Sequence, residues 1–339
     1  MFGAVLPEEI NTLALEAALF GEGNIAELEV FSNQAAEVRE AMRLPGGGRV
    51  SVTAQGVSIK ADVVAQGGAI SFRAADNTNN PVATLLNVEV DDGVTLSTAG
   101  GWANALNATS DNTNRATQIN GGTVTLNAEG VLALGQGSLV DVGGGGRLKS
   151  DGKLEAGNGG KVALSASTMQ LSGDVRSYAP GKGGSYSLKA DRVKIGGSRD
   201  EQAINLDAQF FERGGFADFD INGGLSIDIA DGTTLRPTVT SLELKPDAVT
   251  SPTGSVISAF SRQIKREDRF RQVANVSFTS DSPGDAAQGK IRLGENARII
   301  ADDKAKISFN AKNRIDLLGE VKAAGGNISA NLNRSETDP

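Results

Sequence analysis

The chain contains no cysteine and no histidine among its 339 residues. Without cysteine there are no disulfide staples, no thiolate metal sites and no cysteine nucleophile. That absence does not fix a redox compartment, because a large repeat protein can be stable without bridges. Without histidine the usual general base and the commonest transition-metal ligand are both missing, and Ser-His-Asp catalysis is impossible. Aromatic residues make up only 4% of the chain, so large rings are not expected to fill its interior. Positive charge is also short: 33 Lys and Arg against 41 Asp and Glu leave a net charge of -8, which argues against nucleic acid and against an anionic membrane surface. No segment approaches the ~20 apolar residues needed to span a bilayer, so no membrane insertion is expected.

The first twenty residues carry Glu8 and Glu9 where a cleaved secretory signal needs basic residues and an unbroken apolar run. Leu13, Leu15, Ala18 and Leu19 read as a short helix or a strand-to-turn excursion. With the polar ending "NLNRSETDP", this favours an internal piece of a longer chain.

Glycine is abundant, at 43 residues, and it is placed periodically. A unit of two glycines, one free position and an alternating apolar-polar run ending in alanine recurs as "GGRVSVTA" (47–54), "GGAISFRA" (67–74), "GGTVTLNA" (121–128), "GGKVALSA" (159–166) and "GGSYSLKA" (183–190). Looser copies are "GGNISANL" (325–332), "GKIRLGENA" (289–297) and "AKISFNA" (305–311). Successive copies lie roughly 20 residues apart or about double that, the period of one turn in a solenoid. Side chains alternate faces along a strand, so Val124 and Leu126 share one face while Thr123, Thr125 and Asn127 share the other. A single such strand cannot cover its apolar face, whereas stacked copies build a continuous interior. The glycine pairs are expected to supply positive φ and close approach at the corners. Val50, Ile70, Leu126, Val162 and Leu188 are expected to lie in register, one above another, inside the coil. An antiparallel sandwich would use similar strands, and "NGG" at 120–122 and 222–224 suits hairpins, but the period is that of a turn rather than a hairpin.

The ordered series "INGGTVTLNAEGVLALGQGSLVDVGGGG", "GNGGKVALSASTMQLSGDVRSYAPGKGGSYSLKADRVKIGG" and "DAQFFERGGFADFDINGGLSIDIADGTTLRP", with the insertion "GGWANAL", resembles the repeat region of filamentous-haemagglutinin-like exoproteins of bacterial two-partner secretion systems. The resemblance covers most of residues 45–330. It implies an all-β, right-handed parallel β-helix exported across the Gram-negative envelope and placed outside the cell or on its surface as an adhesin shaft. Family members are handed to an outer-membrane transporter through an N-terminal domain with Asn-Pro motifs. Here the nearest match is Asn80-Pro81, so the transporter is expected to act on a region outside this chain.

Several stretches interrupt the coil, near residues 76–88, 100–120, 143–157, 197–214 and 246–274. Trp102, with Asn107, Asn112 and Asn114, has the residue types of a sugar platform, but an excursion packed onto the side of the solenoid by Trp102 is the favoured reading. Asp218 and Asp220 share a strand face beside Phe216 and Phe219. Paired carboxylates can hold Ca²⁺ or serve as acid and base in polysaccharide cleavage; the favoured reading is a solvated outer face with the rings packed inward. In residues 251–273, Val256, Phe260 and Ile264 recur every four positions as in a short amphipathic helix, with Ser251 or Thr253 as its cap. Arg262, Lys265, Arg266, Arg269 and Arg271 there offer an acidic glycan a basic surface, diluted by Glu267 and Asp268. Residues 33–44, "NQAAEVREAMRL", allow a helix by periodicity but are read as strand from their flanks.

The expectation is therefore an irregular strand or helix lead-in over 1–45 and a parallel β-helix with loop and short helical excursions over 46–339, with insertions near 100–120 and 246–274. Roughly a dozen turns would make a rod on the order of 60 Å. The function expected is a non-catalytic structural shaft and adhesive surface that contacts a host or bacterial surface glycan or protein, with no catalytic, cofactor or metal residues assigned. The alternative is an extracellular polysaccharide lyase or hydrolase centred on Asp218, Asp220, Asp228 and Asp231.

Overall fold

The computed structural model describes residues 25–76, 86–106, 118–282 and 288–333. Within them the chain winds as a parallel β-helix with three walls. The first wall is a run of ten parallel strands. It starts at Glu27–Phe31, Arg49–Ala54, Ala69–Ala74, Thr123–Ala128 and Lys161–Ser165. It continues through the first halves of Gly184–Ile195 and Phe216–Ile229 to Asn275–Ser280, Lys306–Ala311 and Asn327–Leu332. The second wall holds Ala35–Val38, Gly56–Ile59, Val88–Val90, Val131–Leu134 and Thr168–Leu171, and later the second halves of the two long strands, Lys290–Leu293 and Arg314–Leu317. Shorter strands such as Met42–Leu44, Val63–Ala65, Leu139–Asp141 and Arg298–Ile300 make the third wall. The antiparallel alternative is thereby excluded for the coil. Ten strands at about 4.8 Å spacing give a wall of about 43 Å, shorter than the expected rod because several turns carry long excursions instead of further rungs.

Among the described residues the first strand of the coil is Glu27–Phe31, within the segment expected as a lead-in, and residues 33–44 supply the strands Ala35–Val38 and Met42–Leu44 of the first turn. "GKIRLGENA" proves to be a second-wall strand, paired with Ser226–Ile229 and Arg314–Leu317.

The alternation read from the repeats sets what the coil encloses. Val50, Ile70, Val124, Val162 and Tyr186 pair rung to rung in one buried column, and Val52, Phe72, Leu126, Leu164 and Leu188 in the next. The five residues expected in a single stack therefore occupy two neighbouring columns, because Leu126 and Leu188 sit two positions further along their strands. The motif's last alanine forms a third column, Ala54, Ala74 and Ala128, buried where the first wall bends into the second.

The second glycine of each pair explains the motif's punctuation. Gly68, Gly122, Gly160 and Gly184 stack along the corner between third and first walls, and a Cβ on any of them would collide with the carbonyl oxygen of the glycine one rung earlier. Those same carbonyls accept the opening bond of the next strand: Gly48 from Ala69 N at 3.0 Å, Gly68 from Thr123 N at 2.9 Å, Gly122 from Lys161 N at 2.8 Å and Gly160 from Ser185 N at 3.0 Å. Close backbone approach is the general requirement; of the first glycines of the motif copies, Gly47, Gly67 and Gly325 also use positive φ, at 81°, 61° and 62°, whereas Gly121, Gly159 and Gly183 do not.

Aromatic rings, though few, gather inside the later turns. The 3-10 turn Ala208–Glu212 delivers Phe210 and Phe211 against Tyr186 and Phe219, on which Phe216 also packs, and Phe278 stacks on Phe309 with centroids 5.5 Å apart. This corrects the expectation of a ring-poor interior: composition averages over the chain, whereas the rings concentrate in a few turns.

On one flank the excursions join into a lateral lobe. Trp102–Asn104 pairs with Gly146–Leu148, which pairs in turn with Leu154–Ala156, while Ser241–Leu244 and Ser261–Ile264 form an antiparallel ribbon. Trp102, Leu148, Ala248 and Phe260 make a second small core. The helix expected over 251–273 is absent: Ile257–Phe260 is one 3-10 turn and Ser261–Ile264 is strand. Phe260 is buried whereas Val256 is 71% exposed, so the four-residue spacing marks no common face. Thr253 and Ser251 contact Asn104 instead of capping a helix: Asn104 N donates to Thr253 Oγ1 at 2.9 Å, and its Nδ2 donates to the Ser251 carbonyl at 3.0 Å.

Candidate functional site

The outward positions of the first wall form a regular polar surface, since every second residue of each strand must face solvent. One outward column runs Lys161, Ser185, Asp218, Asn275, and the same register brings Lys306 next. The adjoining column is Ala163, Ser187, Asp220, Ser277, Ser308. Apart from Ala163, these residues line a shallow groove of about 420 Å³. It meets a second hollow of about 510 Å³ along the glycine corner, and Lys161, Ser185 and Asp218 belong to both.

Local folding places each group. Ala217 is the extra residue of a bulge, with Gly184 opposite Phe216 and Ser185 opposite Asp218, so both Phe216 and Phe219 point inward while Asp218 and Asp220 point out. Asn275 orients Asp218 by donating from Nδ2 to Oδ1 at 2.8 Å, and its own Oδ1 accepts from Lys306 N at 2.9 Å. Among the described residues, neither the Lys161 nor the Lys306 ammonium nor the Asp220 carboxylate joins an ion pair or a side-chain hydrogen bond. The groove therefore combines acceptor-only carboxylates, donor-only ammonium groups, and hydroxyls and an amide that do both.

The other sequence-derived candidates fall elsewhere. Trp102 is buried, tilted 59° against Phe260, and its Nε1 donates to the Ser251 carbonyl at 3.1 Å, so its face is not offered to a ligand. Asn107, Asn112 and Asn114 lie outside the described residues. The basic run of 251–273 is largely neutralised. Arg262 pairs with Glu243, Lys265 with Glu212 at 3.2 Å and Arg269 with Glu267 at 3.2 Å. Arg271 is buried against Asp302, with Nε donating to Oδ2 at 2.7 Å, and also contacts Asp268. Only Arg266 of the five basic side chains joins no ion pair among the described residues.

The four aspartates do not converge. Asp218 and Asp220 stand on the first wall, whereas Asp228 is on the second and Asp231 in the turn that follows, both bridged by Arg292. The Arg292 guanidinium, with the Glu295 amide, holds the Asp231 carboxyl below its ordinary range. Asp218 and Asp220 are exposed, not set in the apolar pocket that a general acid requires. Among the described residues no group of three or more acidic side chains could hold a metal ion, and no helix is long and apolar enough to cross a membrane.

Sequence reasoning had singled out Asp218 and Asp220 but not Lys161, Ser185, Ser277 or Lys306. For Lys161 and Ser185 the signal was present in the free position after a glycine pair, whereas Ser277 and Lys306 follow no such pair and are brought in by strand register alone. No family model, curated protein or solved structure matches the chain.

Proposed function

We propose that this chain is part of the shaft and adhesive surface of a large secreted bacterial filamentous-haemagglutinin-like adhesin, acting outside the cell and without catalysis. The observation that supports it most directly is the continuous ten-strand parallel wall, which stacks turns along one axis and faces outward with Ser, Thr, Asn and charged side chains. Such a coil extends by adding turns, and each turn stabilises its neighbours. Contact with a surface glycan or protein is then made from the wall and the lateral lobe, while an outer-membrane transporter acts on a region outside this chain.

The reading is tested by attachment. Beads coated with the purified chain should adhere to epithelial or bacterial cells well above beads coated with an unrelated acidic protein. Equal attachment of the two would sink the adhesive role. Release of new reducing ends or unsaturated sugars from polysaccharide by the purified chain would sink the non-catalytic part.

A further inference from the structure

The groove on the first wall carries a more specific reading, one that rests on the adhesive function proposed above. We infer that it binds an extended, uncharged glycan chain lying along the axis of the coil. From Lys161 to Lys306 the first outward column crosses four rung spacings, or ~19 Å, which suits a short oligosaccharide and not a single ring.

The chemistry of the groove selects the class of ligand. A sugar chain presents closely spaced hydroxyls, each both donor and acceptor. Asp218 and Asp220 can accept from them, the two ammonium groups can donate to them, and Asn275 and the serines can do either. The fixed charges of the groove, two positive and two negative, cancel, and the whole chain is at -8, so nothing draws in a polyanion. In this respect the groove differs from the basic run of the lobe, where four of the five basic side chains are already paired internally. Among the described residues, the two aromatic residues that border the groove, Tyr186 and Phe219, are buried in the interior beneath it, so binding depends on hydrogen bonds rather than stacking. Single sites of this kind are weak, and arrays of chains on a surface would supply the strength through multivalency.

The test uses the full chain of 339 residues. Neutral oligosaccharides (manno-, gluco- and xylo-oligomers) and two polyanions (heparin and polygalacturonate) are measured at low and high salt. The wild type should bind at least one neutral series with little dependence on salt. The double variant Asp218→Ala/Asp220→Ala should weaken that binding by about tenfold or more, as expected for lost hydrogen bonds to charged groups. Lys161→Ala/Lys306→Ala should weaken it less, and Ser51→Ala, on the same wall outside the groove, should leave it unchanged. All these side chains face outward, and circular dichroism with a thermal midpoint checks that each variant is folded.

The inference is overturned if the wild type binds no neutral glycan, if it binds only polyanions in a salt-sensitive manner, or if the aspartate variant binds as well as the wild type. Bead attachment separates this failure from failure of the adhesive reading. Attachment that survives Asp218→Ala/Asp220→Ala removes the groove and leaves the adhesin. Loss of attachment by the wild type removes the adhesin, while the solution measurement still decides the groove.

Discussion

Replacing Gly122 with alanine isolates the contact on which the coil's spacing depends. A Cβ there would collide with the Gly68 carbonyl oxygen and stand 2.8 Å from that residue's carbonyl carbon and from its amide nitrogen. These are backbone atoms of the neighbouring rung, so no flexible side chain can swing away. Relief requires the two rungs to part, and that strains the bond from Thr123 N to Gly68 O at 2.9 Å and the bond from Gly122 N to Thr98 O at 2.8 Å. Overpacking of a dense interior costs about 1–3 kcal/mol and a lost ladder bond about 1 kcal/mol more, giving roughly 2–4 kcal/mol in all. The control is Gly137→Ala. Gly137 has φ 70° and no heavy atom within 4 Å of an added Cβ, so that variant bears only the left-handed strain, about 1–2 kcal/mol. Guanidinium unfolding followed by circular dichroism compares the two, and amide exchange at Thr123 and Lys161 reports the rungs on either side. The reasoning is refuted if Gly122→Ala unfolds at the same denaturant concentration as Gly137→Ala, or at a higher one.

Other perturbations address the interior, the lobe and the surface charges. Tyr186 is buried edge-on to Phe210 and Phe216, and its hydroxyl has no partner among the described residues; burial pushes the phenol well above its ordinary value of 10.0. A raised folded value means stability that is present below the unfolded value and lost as pH climbs beyond it. Tyr186→Phe should therefore be neutral or up to about 1 kcal/mol stabilising at neutral pH, and it should flatten the loss expected in unfolding midpoints as pH climbs past about 10. Arg271→Ala leaves Asp302 buried without its partner and should cost about 3–5 kcal/mol, whereas Arg271→Met/Asp302→Leu should cost less; thermal midpoints and proteolysis within 246–274 measure both. Trp102→Ala removes the largest ring of the lobe core, at about 3–5 kcal/mol. Hydrogen exchange should then show lost protection at Gly146–Leu148 and Ser261–Ile264 while Arg49–Ala54 stays protected. The Asp231 carboxyl is held low by Arg292, so its stabilising contact is present at neutral pH and lost as pH falls below the ordinary carboxylate range; in Arg292→Ala its carboxyl carbon should titrate upward toward 3.8 by NMR.

Much of the fold was legible because a solenoid turns tertiary packing into a repeated local pattern. Alternation in "GGTVTLNA" identifies which side chains face in, and the recurrence of the motif says that identical positions will meet. The same logic nearly exposed the groove, since Lys161 and Ser185 occupy the free position after a glycine pair, Asp218 follows "GGFA" with one bulged residue, and Lys306 begins a copy without the pair. Periodicity misled where its period had a different cause. The four-residue spacing of Val256, Phe260 and Ile264 is shared by a 3-10 turn and a strand whose apolar partners come from other excursions, chiefly Trp102 and Leu148. The Trp102 segment offered a sugar platform in sequence because an exposed and a buried indole are written with the same letter.

By itself the amino-acid order determined the strand faces, the corners and the parallel coil, because each is enforced by residues one or two positions apart and then copied turn after turn. Only the tertiary structure decided which charges meet and which are spent. Lys161, Asp218 and Lys306 share a column although 57 and then 88 residues separate them in the chain. Excursions of unequal length between rungs erase any fixed sequence offset, and hydrogen-bond register, not distance along the chain, sets what lies beside what.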